Sequence, residues 1–387
     1  MLINELNKKA LDVLNNTFGY SSYRYEQEKI INSVLFGNHT LAIMPTGAGK
    51  SLCYQIPAII SSKKTVIISP LISLMDDQVS ALKECGIKAA KIHSDMTYDE
   101  RSSSWNNFKN GKEKIIYLSP EKIMSEDFLN QLKTLDIGLF VIDEIHCVSK
   151  WGHNFRPDYN QLSQLKSLFP NSNIIGFTAT ADQTTRLDIL EKIFNKNVNV
   201  FISSLDRPNL SLSITQKTNW KSQLLEYLRD RKSQSGIIYC LSKKKTEEVT
   251  SLLNDKGFNA STYHAGLDGQ VRKNVQDTFM TEQAHIVVAT IAFGMGIDKP
   301  DIRFVIHLNL PGSVEAYSQE IGRAGRDGNA SDTLLIYGLD DLVIRRRMIE
   351  ENSAEDKFKF HENKRLDYLL SYCETPECRR KVLLSYF

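Results

Sequence analysis

A run of small residues that ends in a lysine and a serine is the first candidate for chemistry in this sequence. Residues 44–51 read Met-Pro-Thr-Gly-Ala-Gly-Lys-Ser and follow an apolar stretch. Small residues let backbone N–H groups surround a triphosphate, Lys50 can approach the β and γ oxygens, and the Ser51 hydroxyl can ligate Mg²⁺. Met44 replaces the first glycine of the strict pattern, so a chance turn before Lys-Ser remains the alternative for this segment alone. We predict a nucleoside triphosphatase whose nucleotide contacts Thr46, Gly47, Gly49, Lys50 and Ser51.

Two adjacent carboxylates follow a second apolar run. Asp143 and Glu144 stand directly after residues 139–142, at the carboxyl end of a predicted strand, where open α/β sheets bind their ligands. We expect Asp143 to hold the Mg²⁺ that Ser51 also ligates, and Glu144 to polarise the water that attacks the γ-phosphate. The alternative is a solvated Asp-Glu pair, which the lysine-serine loop on another strand of the same predicted sheet disfavours.

A third polar cluster lies in the second half of the chain. Residues 319–328 contain Arg323 and Arg326 among three glycines. Two arginines three apart on a helical turn would point the same way, and both could reach a γ-phosphate as arginine fingers when two lobes close. An exposed basic turn is the alternative, although the glycines favour a close approach of the backbone to another group.

The composition is that of a soluble globular protein with more than one core. The chain has 387 residues, of which 41% are apolar and 24% charged, enough for two or three domains. A net charge of +2 means that a nucleic acid would be bound by local basic grooves. Six cysteines without paired spacing fit reduced thiols. With no apolar run of membrane-spanning length and no signal-peptide pattern, we expect a cytoplasmic protein without a membrane partner, associated with the nucleoid if bacterial or nuclear if eukaryotic.

Short apolar runs alternate with stretches of helical spacing, which predicts an α/β fold with parallel sheets. The first series of predicted strands covers residues 40–44, 65–69, 114–118, 138–143 and 174–178. The second covers residues 236–240, 260–263, 285–290, 304–308 and 332–337. Two α/β lobes in tandem are therefore expected, with a junction near residues 206–209, where a proline interrupts regular structure. From about residue 339 the pattern is helical and charged.

Taken in order, the motifs resemble the core of superfamily 2 DNA helicases and, within them, the RecQ family. They lie at residues 18–27, 44–51, 69–78, 117–121, 143–146, 176–181, 263–266, 289–299 and 319–328. The resemblance implies two RecA-like lobes, residues 1–206 and 207–340, and the helical start of a zinc-binding subdomain at 341–387. It also implies an enzyme that uses ATP and Mg²⁺ to move 3′ to 5′ on single-stranded DNA and to separate strands at forks, in DNA repair or recombination.

The same resemblance assigns roles to residues near the nucleotide and the DNA. Tyr23 and Arg24 would sandwich the adenine, and the Gln27 amide would bond its edge, which favours ATP over GTP. Asp298 would join the nucleotide site. The aromatic-rich loop after the acidic pair would sense single-stranded DNA by base stacking and by contacts to phosphate or to acidic groups. Its residues, with the neighbouring histidine, are His146, Trp151, His153, Phe155 and Arg156. Weaker candidates for DNA contact are Asn209, Ser242 and Thr290.

The sequence departs from the family pattern at two places. Ile145 stands where the family usually has alanine, which adds volume behind the carboxylates. Cys378 matches the first of four zinc-ligating cysteines, but Cys373 does not match another, and two cysteines cannot complete a tetrahedral site. We therefore expect no zinc, and a core without the modules that follow it in relatives.

Three other functions remain open at this stage. The chain could be an RNA helicase of the same superfamily, a translocase on duplex DNA, or an ATP-dependent clamp that binds DNA without unwinding it. The aromatic-rich loop favours DNA over RNA. ATPase rates with single-stranded DNA or RNA, together with a fork-unwinding assay, separate these alternatives.

Overall fold

A computed structural model describes residues 2–149, 156–294, 297, 299–352 and 356–387. The chain forms two compact units, residues 1–205 and 206–387. In the described ranges, each helix is too short or too polar to cross a membrane.

The first unit is built on a parallel sheet with seven strands among its described residues, in the order β3-β4-β2-β5-β6-β1-β7. The strands are β1 Thr40–Ile43, β2 Lys64–Ile68, β3 Ala89–Ile92, β4 Ile115–Leu118, β5 Ile137–Ile142, β6 Asn173–Thr178 and β7 Asn199–Ile202. Alternate residues of β5 enter two different cores, Phe140 and Ile142 in one and Leu139 and Val141 in the other. Both faces of the sheet are therefore covered, as parallel sheets require.

The helices of the first unit precede its strands or lie between them along the chain, and they cover the sheet. They are α1 Leu2–Asn16, α2 Gln27–Leu35, α3 Lys50–Ile60, α4 Ile72–Glu84, α5 Tyr98–Lys109, α6 Pro120–Ile123, α7 Glu126–Leu132, α8 Pro157–Asn160, α9 Leu165–Leu168 and α10 Gln183–Lys192. Two short 3₁₀ turns, Ile145–Val148 and Gln161–Gln164, complete the set among the described residues.

The second unit repeats the architecture with a parallel sheet of six described strands, in the order β10-β11-β9-β12-β13-β8. These are β8 Leu210–Gln216, β9 Ser235–Tyr239, β10 Asn259–Tyr263, β11 His285–Ala289, β12 Ile302–His307 and β13 Ser331–Tyr337. Its helices are α11 Trp220–Leu228, α12 Lys243–Asp255, α13 Gly269–Thr281, α14 Val314–Ile321, α15 Leu339–Glu350, α16 Asp356–Glu374 and α17 Arg379–Tyr386. The predicted parallel α/β sheets and the helical end of the chain are confirmed.

The order of the first sheet places three loops at one edge. Strand β6 lies between β5 and β1, and all three run parallel, with Ile43 paired to Thr178 and Ile142 paired to Gly176. Because carboxyl ends of neighbouring parallel strands meet at one edge, the loops that follow β1, β5 and β6 leave the sheet side by side.

Candidate active site

The loop between β1 and α3 has the backbone shape that small residues predict. Gly47 and Gly49 have φ angles of 81° and 74°, a left-handed conformation that glycine adopts without a steric penalty. The loop is fixed to the sheet because the Met44 N–H donates to the Thr178 carbonyl at 3.0 Å. Lys50 and Ser51 are the first residues of α3, and the free N–H groups of a helix start favour an anion there.

Gln27 is buried and joins this loop to the segment before α2. Its Nε2 donates to the carbonyls of Ala48 and Gly49 at 3.0 and 3.1 Å, while its Oε1 accepts from the Arg24 N–H at 2.8 Å. A Cβ built on Gly49 would lie 2.4 Å from Gln27 Nε2, so a side chain here would displace the Gln27 amide and would also be strained by the positive φ. The amide expected to face adenine therefore also holds the loop. Because an amide oxygen has two acceptor positions, Oε1 can still accept a second hydrogen bond.

The two residues assigned to the adenine faces lie just before Gln27. Tyr23 packs against the core that contains α3, and burial, with smaller effects from Glu28 and Cys53, raises its pKa to about 12. Arg24 is exposed, with its guanidinium 5.9 Å from the centre of the Tyr20 ring. Tyr23 and Arg24 thus belong to the segment that Gln27 links to the loop between β1 and α3.

The acidic pair lies at the carboxyl end of β5. Glu144 has a φ of 47°, and its N–H donates to Asp143 Oδ1 at 3.0 Å. Burial, together with the charge of Glu144, raises the pKa of Asp143 to about 6, although Lys50 opposes the shift. Lys50 begins α3 and Asp143 follows β5, yet the charge of Lys50 acts on the Asp143 carboxyl group. A carboxylate and a hydroxyl are donors that suit Mg²⁺, so Asp143 and Ser51 fit the ion, which would also relieve the buried charge.

His146 connects the acidic pair to the end of β6. Its Nδ1 lies 3.2 Å from Glu144 Oε2 and 2.9 Å from Thr178 Oγ1. Thr178 Oγ1 in turn donates to the Thr180 carbonyl at 3.0 Å and accepts from the Thr180 N–H at 3.1 Å. The sequence places Thr178 at the end of a predicted strand and Thr180 two residues later, but gives neither of them a role. The structure adds them as a polar link between two loops of the site.

Ile145, the unusual residue of the acidic motif, is fully buried. A Cβ built on Gly176 of β6 would lie 2.3 Å from Ile145 Cδ1. The missing side chain at Gly176 therefore makes room for the larger residue, and the carboxylates remain at the strand end.

Arg156 binds inside the first unit. Its Nη1 donates to the Pro70 carbonyl at 2.9 Å, and its N–H donates to the Cys147 carbonyl at 3.0 Å. It therefore joins the segment before α4 to the segment after the acidic pair. Trp151, His153, Phe155 and Asp298 lie outside the described residues.

The arginine pair does not lie on a helical turn, which corrects the sequence prediction. Helix α14 ends at Ile321, and Gly325, with a φ of 56°, reverses the backbone between the two arginines. Arg323 is 8% exposed and donates to the Gly294 carbonyl, whereas Arg326 is only partly buried. The two arginines therefore differ in exposure, although the charges of both act on the buried Tyr239. We call residues 322–326 the arginine turn.

Three family models match the chain in succession. They are the DEAD/DEAH box helicase at residues 24–188, the helicase conserved C-terminal domain at 219–328 and the RecQ zinc-binding family at 339–387. The ATP-dependent DNA helicase RecQ of Pasteurella multocida is 44% identical over 99% of this chain and 60% of its own length. The Bacillus subtilis protein of that name is 39% identical over 98% of this chain and 64% of its own length. This chain belongs to the RecQ family of superfamily 2 helicases. It spans about three fifths of the length of these relatives.

Solved helicases share the fold of this RecQ-family chain. A DEAD-box helicase bound to single-stranded RNA superposes with a TM-score of 0.71 at 17% identity, covering 99% of this chain and 91% of that one. The Mycobacterium smegmatis helicase Lhr, bound to single-stranded DNA, gives a TM-score of 0.66 at 20% identity, covering 89% of this chain and 49% of that one. The predicted architecture of two tandem RecA-like lobes is confirmed.

The cysteines within the RecQ zinc-binding match lie in different surroundings. Cys373 is buried, and burial raises its pKa to about 12, whereas Cys378 is exposed directly before α17. Within the described ranges, no group of three or more His, Cys, Asp or Glu side chains is placed to hold a metal. The expectation that these residues bind no zinc stays a prediction.

Proposed function

We propose that this chain is the motor of an ATP-dependent DNA helicase that moves 3′ to 5′ on single-stranded DNA and separates strands at forks, in DNA repair or recombination. The observation that carries the proposal is the convergence of Lys50 with Asp143 at one sheet edge in a chain of the RecQ family. The direction of movement and the cellular role rest on the family resemblance.

The nucleotide roles follow from the chemistry of each group. Lys50 would hold the β and γ oxygens, while Ser51 and Asp143 would hold Mg²⁺ and place it against the triphosphate. The ion supplies charge neutralisation when bound. Glu144 would orient and deprotonate the attacking water. The hydrogen bond from the Glu144 N–H to Asp143 Oδ1 holds the Asp143 carboxylate close to the Glu144 backbone.

Other assignments remain proposals that rest on the resemblance. Tyr23, Arg24 and Gln27 would select adenine, and Asp298 would join the nucleotide site. Arg323 and Arg326 would act on the γ-phosphate during hydrolysis. Trp151, His153 and Phe155, with Arg156 and His146, would report bound DNA to the carboxylates. The Arg156 bond to Pro70 and the His146 contact with Thr178 support such coupling, because both join loops of the first unit.

The test is an ATPase assay with and without single-stranded DNA or RNA, beside a fork-unwinding assay. We expect stimulation by DNA, weak stimulation by RNA, and release of the fork strand. Glu144→Gln should lower kcat by about 10²- to 10⁴-fold and leave binding of a fluorescent ATP analogue intact. Glu113→Gln, which changes a partly buried carboxylate in a loop outside the site, should turn over like the wild type.

Other outcomes select other functions. Stimulation by RNA alone indicates an RNA helicase. Hydrolysis without strand release at any enzyme excess indicates a clamp or a duplex translocase. Normal turnover by Glu144→Gln rules out Glu144 as the base.

A further inference from the structure

The carbonyls of the arginine turn converge on one side chain from the start of the second unit. Arg207 Nη2 donates to the Ala324 carbonyl at 2.9 Å and to the Gly325 carbonyl at 2.8 Å, and its Nη1 donates to the Gly322 carbonyl at 3.3 Å. These carbonyls lie after the end of α14, so they need partners outside the helix. An arginine can supply them, because its guanidinium carries five N–H donors. Arg207 therefore holds the backbone that immediately precedes Arg326.

Asn209, two residues along, is a second side chain that holds the same turn. Its Nδ2 donates to the carbonyls of Gly325 and Asn329, both at 2.9 Å. A Cβ on Gly325 would lie 2.5 Å from that nitrogen. The close approach explains why residue 325 is a glycine. The Asn209 amide forms these hydrogen bonds within the second unit.

Helix α17 in turn holds the Arg207 segment. Arg380 Nη1 donates to Asp206 Oδ1 at 2.6 Å and to the Arg207 carbonyl at 2.7 Å, and its Nη2 donates to the Leu210 carbonyl. The chain of contacts therefore runs from the RecQ zinc-binding match, through residues 206–210, to the arginine turn. All of these residues belong to the second unit.

We propose that Arg207 is a positioning residue that sets the place of Arg326 for ATP hydrolysis, and that Arg380 supports it. The inference rests on the proposed role of the arginine pair in hydrolysis. Arg326 follows directly on the carbonyl of Gly325, so a shift of the turn shifts its guanidinium. A displacement of about 1 Å at a catalytic group can cost about 10²-fold in rate. ATP binding by residues of the first unit should not depend on where Arg207 holds the arginine turn.

The test is a double-mutant cycle measured as DNA-stimulated ATP hydrolysis by the full chain. Arg207→Ala should lower kcat at least about tenfold, with the KM for ATP and the affinity for a fluorescent ATP analogue within about twofold of wild type. In an Arg326→Ala background the same change should cost almost nothing further, because residues that act through one group are not additive. Arg207→Lys should not restore kcat, since an ammonium lacks the planar fork.

A second variant and a control protect the test against misfolding. Arg380→Ala should lower kcat in the same direction, by less than Arg207→Ala. Arg231→Ala should leave kcat unchanged, although Arg231 also bonds a backbone carbonyl and a carboxylate in the second unit, those of Tyr227 and Asp332. Thermal unfolding should show all variants folded at the assay temperature.

Five outcomes would overturn the inference. Additive losses in the cycle, or a rise in KM that matches the fall in kcat, show that Arg207 does not act through Arg326. Loss of activity that follows the unfolded fraction shows a merely structural role. An Arg326→Ala variant of normal activity removes the arginine assignment while the helicase proposal stands. A wild-type chain that does not hydrolyse ATP removes both proposals.

Discussion

At the scale of single residues, the site depends on volumes that match between neighbouring strands. Ile145 is larger than the alanine that the RecQ family usually has after the two carboxylates, and it fills the space beside Gly176. The sequence shows the enlarged residue but not its partner, because the two are brought together only by the pairing of β5 with β6.

Substitution at Gly176 tests this match. Gly176→Ala should destabilise the first unit by about 1–3 kcal/mol through overpacking, and Ile145→Ala alone by about 2–5 kcal/mol through a cavity. Together the two changes should cost at least about 1 kcal/mol less than their sum, because the alanine methyl enters the cavity. Denaturant unfolding of the four proteins measures the coupling, and strictly additive values would refute the match.

Gln27 is a second residue whose role depends on a contact distant in sequence. Gln27→Glu replaces the donor that faces the Ala48 and Gly49 carbonyls with an acceptor, which leaves those oxygens opposed to a carboxylate. We expect ATP affinity to fall by about 1–3 kcal/mol, measured by titration with a fluorescent analogue.

The matched control for that change is Gln223→Glu. Gln223 also donates to a backbone carbonyl, that of Gln216 at 2.8 Å, and accepts from a backbone N–H, that of Thr218 at 3.0 Å, but in the second unit. Its substitution should leave ATP affinity unchanged. Equal losses in both variants would remove the special role of Gln27.

At the scale of elements, buried strands were predictable and three edge strands were not. Each predicted run overlaps an observed strand. For most of them the reason is that an apolar run buried on both faces gives a strong signal, whereas β10 is a partly buried edge strand. The missed strands β3, β7 and β8 all lie at sheet edges. Strand β7 is largely exposed and β8 is mostly polar, while β3 begins with two alanines, which favour strands weakly.

The end of α14 was also unpredictable from local sequence. Helical spacing continues through Arg323 and Arg326, yet the helix ends at Ile321. The turn that follows is held by Arg207 and Asn209, more than a hundred positions earlier in the chain. The motifs thus supplied the candidate site residues, which stay predictions, whereas the contacts that hold this turn are contained in no motif.

A buried ion pair joins helix α14 to α16. Its contribution to the free energy of unfolding can be compared with that of an exposed ion pair. Glu315 on α14 lies 3.4 Å from Arg365 on α16, both less than 10% exposed, and accepts from the Tyr386 hydroxyl at 2.8 Å. Removing one partner of a buried pair costs about 3–5 kcal/mol, so Glu315→Ala should destabilise the second unit by that amount.

The comparison variant is Asp367→Ala, which removes an ion pair that also joins two helices. Asp367 binds Arg346 of α15 at 2.9 Å, with both side chains more than half exposed, and exposed pairs contribute about 0–1 kcal/mol. Denaturant unfolding of the two variants gives the difference directly. Similar losses would show that burial does not set the strength of the α14 contact.

At the scale of the whole molecule, each unit has its own hydrophobic cores. The helical end of the chain belongs to the second unit. Its residues Leu369, Tyr372 and Cys373 pack in the same core as Val314 and Tyr317 of α14. The repeated series of apolar runs predicted two lobes. The sequence did not predict how the final helices pack, because their charged pattern does not indicate which part of the protein they contact.

Independent cores predict that the first unit folds alone and carries the nucleotide site. A fragment of residues 1–205 should unfold cooperatively, and Mg·ATP at 100 times its dissociation constant should stabilise it by about 2.7 kcal/mol, a rise in Tm of roughly 5–10 °C for this size. Lys50→Ala should abolish the shift, because the ammonium no longer meets the phosphates. The fragment 206–387 should show no shift with the nucleotide. Stabilisation of the second fragment, or none of the first, would mean that residues 1–205 do not hold the phosphates by themselves.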